Sequence, residues 1–260
     1  MKTLDLENLF GAPVYHAETV SSTFDIARTL AAKGEKHGTV ITADFQEAGR
    51  GRQNRPWVAE RGKNLMFTIL LRYGDISAIP EALTLKTGLA VSLAVEDFAP
   101  PLTGNVLVKW PNDVMVFNRK ARTARKLAGI LTESDGSNVY IGVGVNVAQS
   151  EFPEEYRCKA TSIIHSCPGL SENARFVLLE KILTRLYPEI EMANNETWHE
   201  RIQSRLFKKG EIVTFADGAA GSDRFVQGIL SGLGSGGELL IVPSGGQKAR
   251  VFLTGELLVY

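Results

Sequence analysis

The segment Glu47–Trp57, EAGRGRQNRPW, packs Arg50, Arg52 and Arg55 around Gly49 and Gly51. Glycines let backbone amides approach an anion closely, and guanidinium groups offer forked donors that match a phosphate or a carboxylate. The same residues also make an ordinary solvated loop. Lys109 follows the apolar run VLV and precedes a tryptophan, in VLVKW and then PND. That setting predicts a buried or half-buried ammonium, which costs free energy unless an anion pairs with it. Gly142 and Gly144 interrupt the apolar run VYIGVGVNV, where missing side chains would let a flat ligand lie against the backbone.

Taken singly, each motif has a structural explanation. Ser22 in SST can simply cap a helix, Trp57 and Trp110 can fill core, Pro111-Asn112-Asp113 can form a turn, and Gly142 and Gly144 can permit a bulge. Together they supply two separate cationic elements, hydroxyl and amide donors, and glycine-lined walls. Such a site suits the joining of two anions that repel each other. Activation of a carboxylate by ATP is a reaction of that kind, since charge builds on the phosphoryl oxygens and on the departing pyrophosphate. A closing loop would shield the acyl-adenylate from water.

The elements that must carry these motifs follow from periodicity. TFDIARTLAAKG after Ser22 reads as a capped helix with a buried stripe of Phe24, Ala27, Leu30 and Ala31. TVITADF (39–45) and NLMFTILLR (64–72) read as core strands joined by the arginine loop. PEALTLKTGLAVSLAVEDF (80–98) reads as a helix entered at Pro80, and VLVKW, DVMVF, KLAGILTE and VYIGVGVNV read as strands. Two amphipathic helices follow over 171–193, with Ser171 as cap, and 196–206. From Gly210 onward, EIVTFAD, RFVQGILSG, ELLIVPS and ARVFLTGELLVY are short strands between Gly-rich turns, the pattern of a small all-β barrel. The fold class is therefore α+β, with a boundary near residue 208 and a small module that packs on the larger one.

Composition narrows the function classes. Lysine plus arginine and aspartate plus glutamate both number 29 in 260 residues, so no global field draws the chain to nucleic acid or an anionic membrane. No apolar run of membrane length and no secretory signal is expected, which makes a cytoplasmic protein the default. Two cysteines and four scattered histidines lack metal-ligand spacing, so no protein-bound metal is expected. GLGSGG (232–237) matches the dinucleotide pattern GxGxxG, but a strand follows it rather than a helix, so it reads as a hairpin turn. No P-loop motif occurs.

GRGR followed by a tryptophan, then KWPND, KLAGIL and GVGVN in this order, resembles the biotin protein ligases over roughly residues 14–147. The terminal β module with its GEL (255–257) also looks like that family's SH3-like C-terminal domain. The resemblance implies a mixed-sheet catalytic domain over 1–207, an SH3-like barrel over 208–260, and two chemical steps. Biotin and ATP, the latter as its Mg2+ complex, would give biotinyl-5′-AMP. Biotin would then pass to a lysine of a biotin carboxyl carrier protein or domain. By the same resemblance Ser22, Thr23 and Gln46 would bind the ureido end of biotin, and Gly49, Arg50, Gly142 and Gly144 would line its pocket. Lys109 would sit between the biotin carboxylate and the α-phosphate, with Arg50 and Arg52 as the other residues of the chemical step. Arg52 would retain the adenylate. Arg55, Asn112, Lys126 and Asn146 would lie toward the nucleotide, and Trp57 would cover the adenine.

Three departures from the family pattern stand out. Phe24 replaces the usual Asn after ST. The stretch FNRKARTAR (117–125) is long, so Lys120 or Lys126 takes the place of the family lysine. The first motif begins near residue 20, which leaves no room for the helix-turn-helix of the repressor members; a monofunctional ligase is expected, as a monomer or a homodimer. The rival readings are a lipoate or octanoate ligase on the related fold, and a non-catalytic biotin- or nucleotide-binding protein.

Overall fold

The computed structural model describes residues 1–171, 173–192, 197–218 and 223–258. The chain opens with two strands that periodicity missed, β1 (Lys2–Leu4) and β2 (Val14–Val20), followed by α1 (Thr23–Ala32). Strands β3 (Thr39–Gln46) and β4 (Leu65–Arg72) flank the arginine loop, and α2 (Leu83–Phe98) crosses to β5 (Val106–Lys109). Strands β6 (Asp113–Asn118), β7 (Thr123–Asp135) and β8 (Asn138–Val145) precede α3 (Ala174–Glu191) and α4 (Trp198–Arg205). A second group follows: β9 (Ile212–Asp217), β10 (Phe225–Leu233), β11 (Leu239–Pro243), β12 (Arg250–Phe252) and β13 (Gly255–Leu258).

The first eight strands form one sheet in the order β1-β2-β3-β4-β8-β7-β6-β5. Only β2 and β3 run parallel; α1 is the crossover between them, and every other pair is antiparallel. This is the mixed-sheet α+β architecture expected. The helix α1 is capped by Ser22, whose hydroxyl accepts from Phe24 N at 3.3 Å, and it buries Phe24, Ala27, Leu30 and Ala31 as its stripe predicts.

Three expectations about the bounds of elements need correction. The helix expected from Pro80 starts at Leu83, because Ala82 takes a left-handed conformation at φ 54° and breaks the run. The Ser171 cap is replaced by Asn173, which makes no side-chain cap bond; Ser171 contributes its carbonyl, to Ala174 N at 3.1 Å. Most of the long run FNRKARTAR forms the β6–β7 hairpin. The final run ARVFLTGELLVY is two strands with different partners, β12 on β11 and β13 on β9. Gly255 sits between them at φ 141°, where a Cβ would overlap the Phe215 ring and the Ala216 carbonyl, so only glycine makes that crossing. Positions 172, 193, 196, 259 and 260 of the predicted elements lie outside the described residues.

The second group forms a five-stranded antiparallel sheet ordered β12-β11-β10-β9-β13, with GLGSGG in the β10–β11 turn. Its inner face does not make a core of its own. Val213, Phe215, Leu230 and Ile241 share one apolar cluster with Leu85 and Leu89 of α2, Val108 of β5, Trp110, and Ile202 of α4. Trp110 closes the junction by donating its indole N–H to Gly237 O at 3.0 Å. The segment Ile76–Phe98 is long and apolar enough to cross a membrane by length and composition, contrary to the expectation of no such run. Its helical part is wrapped instead by α3, the large sheet and the small one, which explains its apolarity.

One buried ion pair ties these layers together. Glu96 of α2 accepts both terminal nitrogens of Arg205 at 2.9 Å each, and also the amides of Gly104 at 2.9 Å and Val106 at 3.3 Å. Removing the carboxylate leaves a guanidinium and two amides without it. Glu96→Ala is expected to lower the unfolding free energy by about 3–5 kcal/mol, read from the midpoint of a urea titration at constant slope.

Candidate active site

A cavity of about 430 Å³ opens on the sheet face beside α1, walled by the arginine loop, the β5–β6 turn, β7, β8, the segment after Phe152, and Glu256 of β13. Thr23, Gln46, Arg50, Arg52, Arg55, Trp57, Lys109, Asn112, Lys126, Gly142, Gly144 and Asn146 all line it. Two expected residues do not. Ser22 is 1% exposed and spends its hydroxyl on the helix cap. Gly49 lies at the base of the loop, where its carbonyl accepts from Trp57 N at 2.9 Å.

One end of the cavity is built on a neutral polar pair, Thr23 and Gln46, with the Arg50 guanidinium at its edge. Gln46 Oε1 accepts from Thr23 N at 2.8 Å and from Thr23 Oγ1 at 3.0 Å, and Thr68 donates to Thr23 Oγ1 at 2.8 Å. Strand β3 delivers Gln46 to this point and the start of α1 delivers Thr23. Arg50 stands over the Phe24 ring at 5.3 Å and within 3.6 Å of both Asp25 and Glu133, so its guanidinium is held without being fully neutralised by a close pair.

The other end is ionic. Lys109, 4% exposed, ends β5, and Asp113 begins β6 four residues later, so the tight turn between them brings carboxylate and ammonium to 3.6 Å. Lys126, across the hairpin on β7, reaches the other Asp113 oxygen at 2.6 Å. Burial holds Lys109 below the ordinary lysine range, and the field of Asp113 offsets part of that. Lys120 is exposed on the hairpin beyond β6, so Lys126 is the lysine that reaches the site. Asn112 donates to Ile130 O at 2.9 Å and accepts from Arg52 at 3.3 Å. Burial also lowers the Arg52 pKa from its ordinary value, with Glu256 and Asp113 acting in the opposite direction. Asn146 donates to Thr161 O at 3.0 Å, which ties β8 to the wall that contains Tyr156 and Lys159.

The glycines of β8 do something the sequence did not suggest. Aromatic rings of the protein itself take the space their side chains would fill. A Cβ at Gly142 would overlap the Phe24 ring, and one at Gly144 would lie 2.5 Å from Trp57 Cε2. Trp57 thus lies against Gly144 and Gly129, with Lys126 Nζ 5.8 Å from its ring and its own indole N–H without a hydrogen-bond partner among the described residues. Asp113, Glu256 and the wall from Phe152 to Ala160 went unassigned in the sequence. The Lys-to-Asp spacing of four within KWPND was the available signal for Asp113, and the GEL motif (255–257) was the one for Glu256; none marked the wall from Phe152.

Known proteins resemble this chain in sequence and in fold. Residues 17–146 match the model of the Biotin/lipoate A/B protein ligase family. The biotin–acetyl-CoA-carboxylase ligase of Paracoccus denitrificans is 30% identical over 240 residues, covering 86% of this chain and 94% of that protein. The bifunctional ligase/repressor BirA of Bacillus subtilis is 35% identical over 157 residues, and the chain spans only 45% of its length. The biotin protein ligase from Aquifex aeolicus, solved in complex with biotin and ATP, superposes with a TM-score of 0.75 at 28% identity, covering 94% of this chain and 97% of that one.

The two aromatic seats predict different outcomes. Phe24 is locked in core, so Gly142→Ala is expected to cost about 1–3 kcal/mol of unfolding free energy. Trp57 belongs to a loop, so Gly144→Ala is expected to stay within about 0.5 kcal/mol while its indole moves, read as a shift in tryptophan emission.

Proposed function

We propose that this chain, which belongs to the biotin/lipoate A/B protein ligase family, activates biotin with ATP and transfers it to a lysine of a biotin carboxyl carrier protein or domain. The observation that carries the reading is the buried Lys109 ammonium. It stands at the end of a cavity that also presents Arg50, Arg52, Arg55 and Lys126, and whose opposite end is the neutral Thr23–Gln46 pair. A molecule with a polar neutral head and a carboxylate tail matches that polarity, and a nucleoside triphosphate supplies the remaining negative charge. Biotin is favoured over lipoate or octanoate because the head-group end offers hydrogen-bonding groups rather than apolar wall alone.

In the first step a biotin carboxylate oxygen attacks the α-phosphorus of ATP, carried as its magnesium complex, and the bond to pyrophosphate breaks. Lys109 and Lys126 flank the point where both anions meet, and Asp113 fixes the two ammonium groups. Arg50 and Arg52 neutralise charge on the loop side. Thr23 and Gln46 orient the head group, with Ser22 supporting Thr23 through the helix cap and Gly49 setting the base of the loop. Gly142 keeps the Phe24 ring seated beside the path of the acid, and Gly144 is uncovered when Trp57 leaves its seat. Arg55, Asn112 and Asn146 face the nucleotide. Trp57 has an indole N–H without a partner among the described residues and a flat face available to adenine, and its seat on Gly144 must be exchanged for that role.

In the second step the neutral amine of the acceptor lysine attacks the acyl carbon and AMP leaves. Arg52 anchors the loop that keeps water from the adenylate in the interval. The catalytic unit is assigned to 1–207 and the small sheet to an SH3-like barrel over 208–260, supported by its five short antiparallel strands and glycine-rich turns.

Purified protein is expected to exchange pyrophosphate into ATP when biotin and magnesium are present. Exchange with lipoate or octanoate alone would transfer the assignment to the sister activity, and none with any acid would favour a binding protein. Lys109→Ala is expected to slow exchange by roughly 10²-fold or more, the scale of losing one preorganised charge contact. Arg52→Gly is expected to leave adenylate formation measurable but to label bystander lysines of added albumin; unchanged selectivity would remove the loop from adenylate retention.

A further inference from the structure

The arginine loop is tied down by a strand 201 residues away in sequence. Glu256 of β13 lines the same cavity, and its carboxylate takes both terminal nitrogens of Arg55, at 3.2 and 2.9 Å. The carbonyl just before it, Gly255 O, accepts from Arg52 at 3.4 Å. Between those two arginines lie Gln53 and Asn54, at φ 58° and 57°. Residues with a side chain are uncommon in the left-handed region, a bulky one such as Gln more so than Asn. The tip of the loop closes on itself, Gly51 N to Arg55 O at 2.8 Å and Arg55 N to Arg52 O at 3.2 Å, and is tied to the rest of the site by what the Arg52 and Arg55 side chains bind.

Two carboxylates line the cavity among the described residues. Asp113 is engaged by two lysines on the sheet, whereas Glu256 is engaged by a residue of the loop. The field of Glu256 also reaches Lys109 and Arg52. An incoming polyphosphate and the Glu256 carboxylate thus seek the same cations. The Arg55–Glu256 side chains are 59% and 33% exposed, a setting in which an ion pair is weak enough to exchange.

We propose that Glu256 is a positioning residue for the nucleotide step. In the nucleotide-free protein its carboxylate holds Arg55, and with it the tip of the arginine loop, in competition with the nucleotide's phosphates, and it yields Arg55 when ATP binds. This inference rests on the reading of the cavity as an ATP-dependent adenylation site. It gives the small C-terminal sheet a direct part in setting nucleotide affinity.

The test compares the full chain with Glu256→Gln, which keeps the shape and one acceptor oxygen but removes the charge. In biotin-dependent pyrophosphate exchange, the KM for ATP is expected to fall by about threefold, the scale of an exposed ion pair, while the KM for biotin moves by less than about twofold. Amide hydrogen exchange over residues 49–57 of the ligand-free protein is expected to rise. A merely structural strap predicts the opposite sign, a raised KM for ATP; that result, or an unchanged KM with unchanged loop exchange, overturns the proposal. Arg55→Gln breaks the same pair from the loop side and is expected to raise loop exchange as well, which covers a Glu256→Gln protein that disturbs β13. On the Arg55→Gln background, Glu256→Gln is expected to shift the ATP KM less than it does alone. Failure of the wild-type protein to exchange pyrophosphate with any acid would sink the adenylation reading, whereas the hydrogen-exchange comparison would still decide whether Glu256 latches the loop.

Discussion

A lysine ammonium removed from water must be held by a carboxylate or give up its charge, and the Lys109–Asp113–Lys126 arrangement is the solution around which the site is built. Asp113 opposes Lys109 in the β5–β6 register and Gly129 in the β6–β7 register, so three adjacent strands converge on one carboxylate. The register shift between Val114 and Met115 brings Lys126 opposite Met115 rather than further along. Two positive charges on one carboxylate leave an excess of positive charge facing the cavity. That excess is what an acid and a triphosphate need when brought into contact.

The same economy governs the wall opposite. Strand β8 is buried between its neighbours, yet at Gly142 and Gly144 it presents bare backbone. Phe24 uses the first gap to pack beneath Arg50, which joins the start of α1 to the loop through an aromatic face and a cation. Trp57 uses the second gap from the far end of the same loop. Both contacts require glycine, because any Cβ would stand where a ring stands. The departure from the family pattern at Phe24 therefore has a steric counterpart in Gly142.

The C-terminal sheet is part of this site rather than an appendage to it. Its apolar face is completed by α2, α4 and Trp110, so its position relative to the cavity is set by shared core. Once that core is packed, β13 lies beside the arginine loop and offers Gly255 O and the Glu256 carboxylate to Arg52 and Arg55. Burial pushes the Glu256 carboxyl up, but its hydrogen bonds with Arg55 and the fields of Lys109 and Arg55 outweigh that and hold it below its ordinary value.

The local elements were legible because their causes are local. A hydroxyl before an apolar stripe predicts the capped α1, a β-branched run predicts β3, continuous apolar runs predict β4 and β8, and Gly-rich turns predict the small sheet. The order GRGR, KWPND, KLAGIL and GVGVN was likewise legible, and most of the residues carried over from it line one cavity. The sequence determined these because propensity, capping and periodicity act within a few residues. It did not reveal that Ser22 spends its hydroxyl on a cap, that Lys126 rather than Lys120 meets Asp113, or that the glycines of β8 seat Phe24 and Trp57. Nor did it reveal that Glu256 reaches Arg55. Those are matters of register and packing between segments far apart in the chain, and only the tertiary structure decides them, because a contact across 201 residues is chosen by the shared core that brings its two ends together.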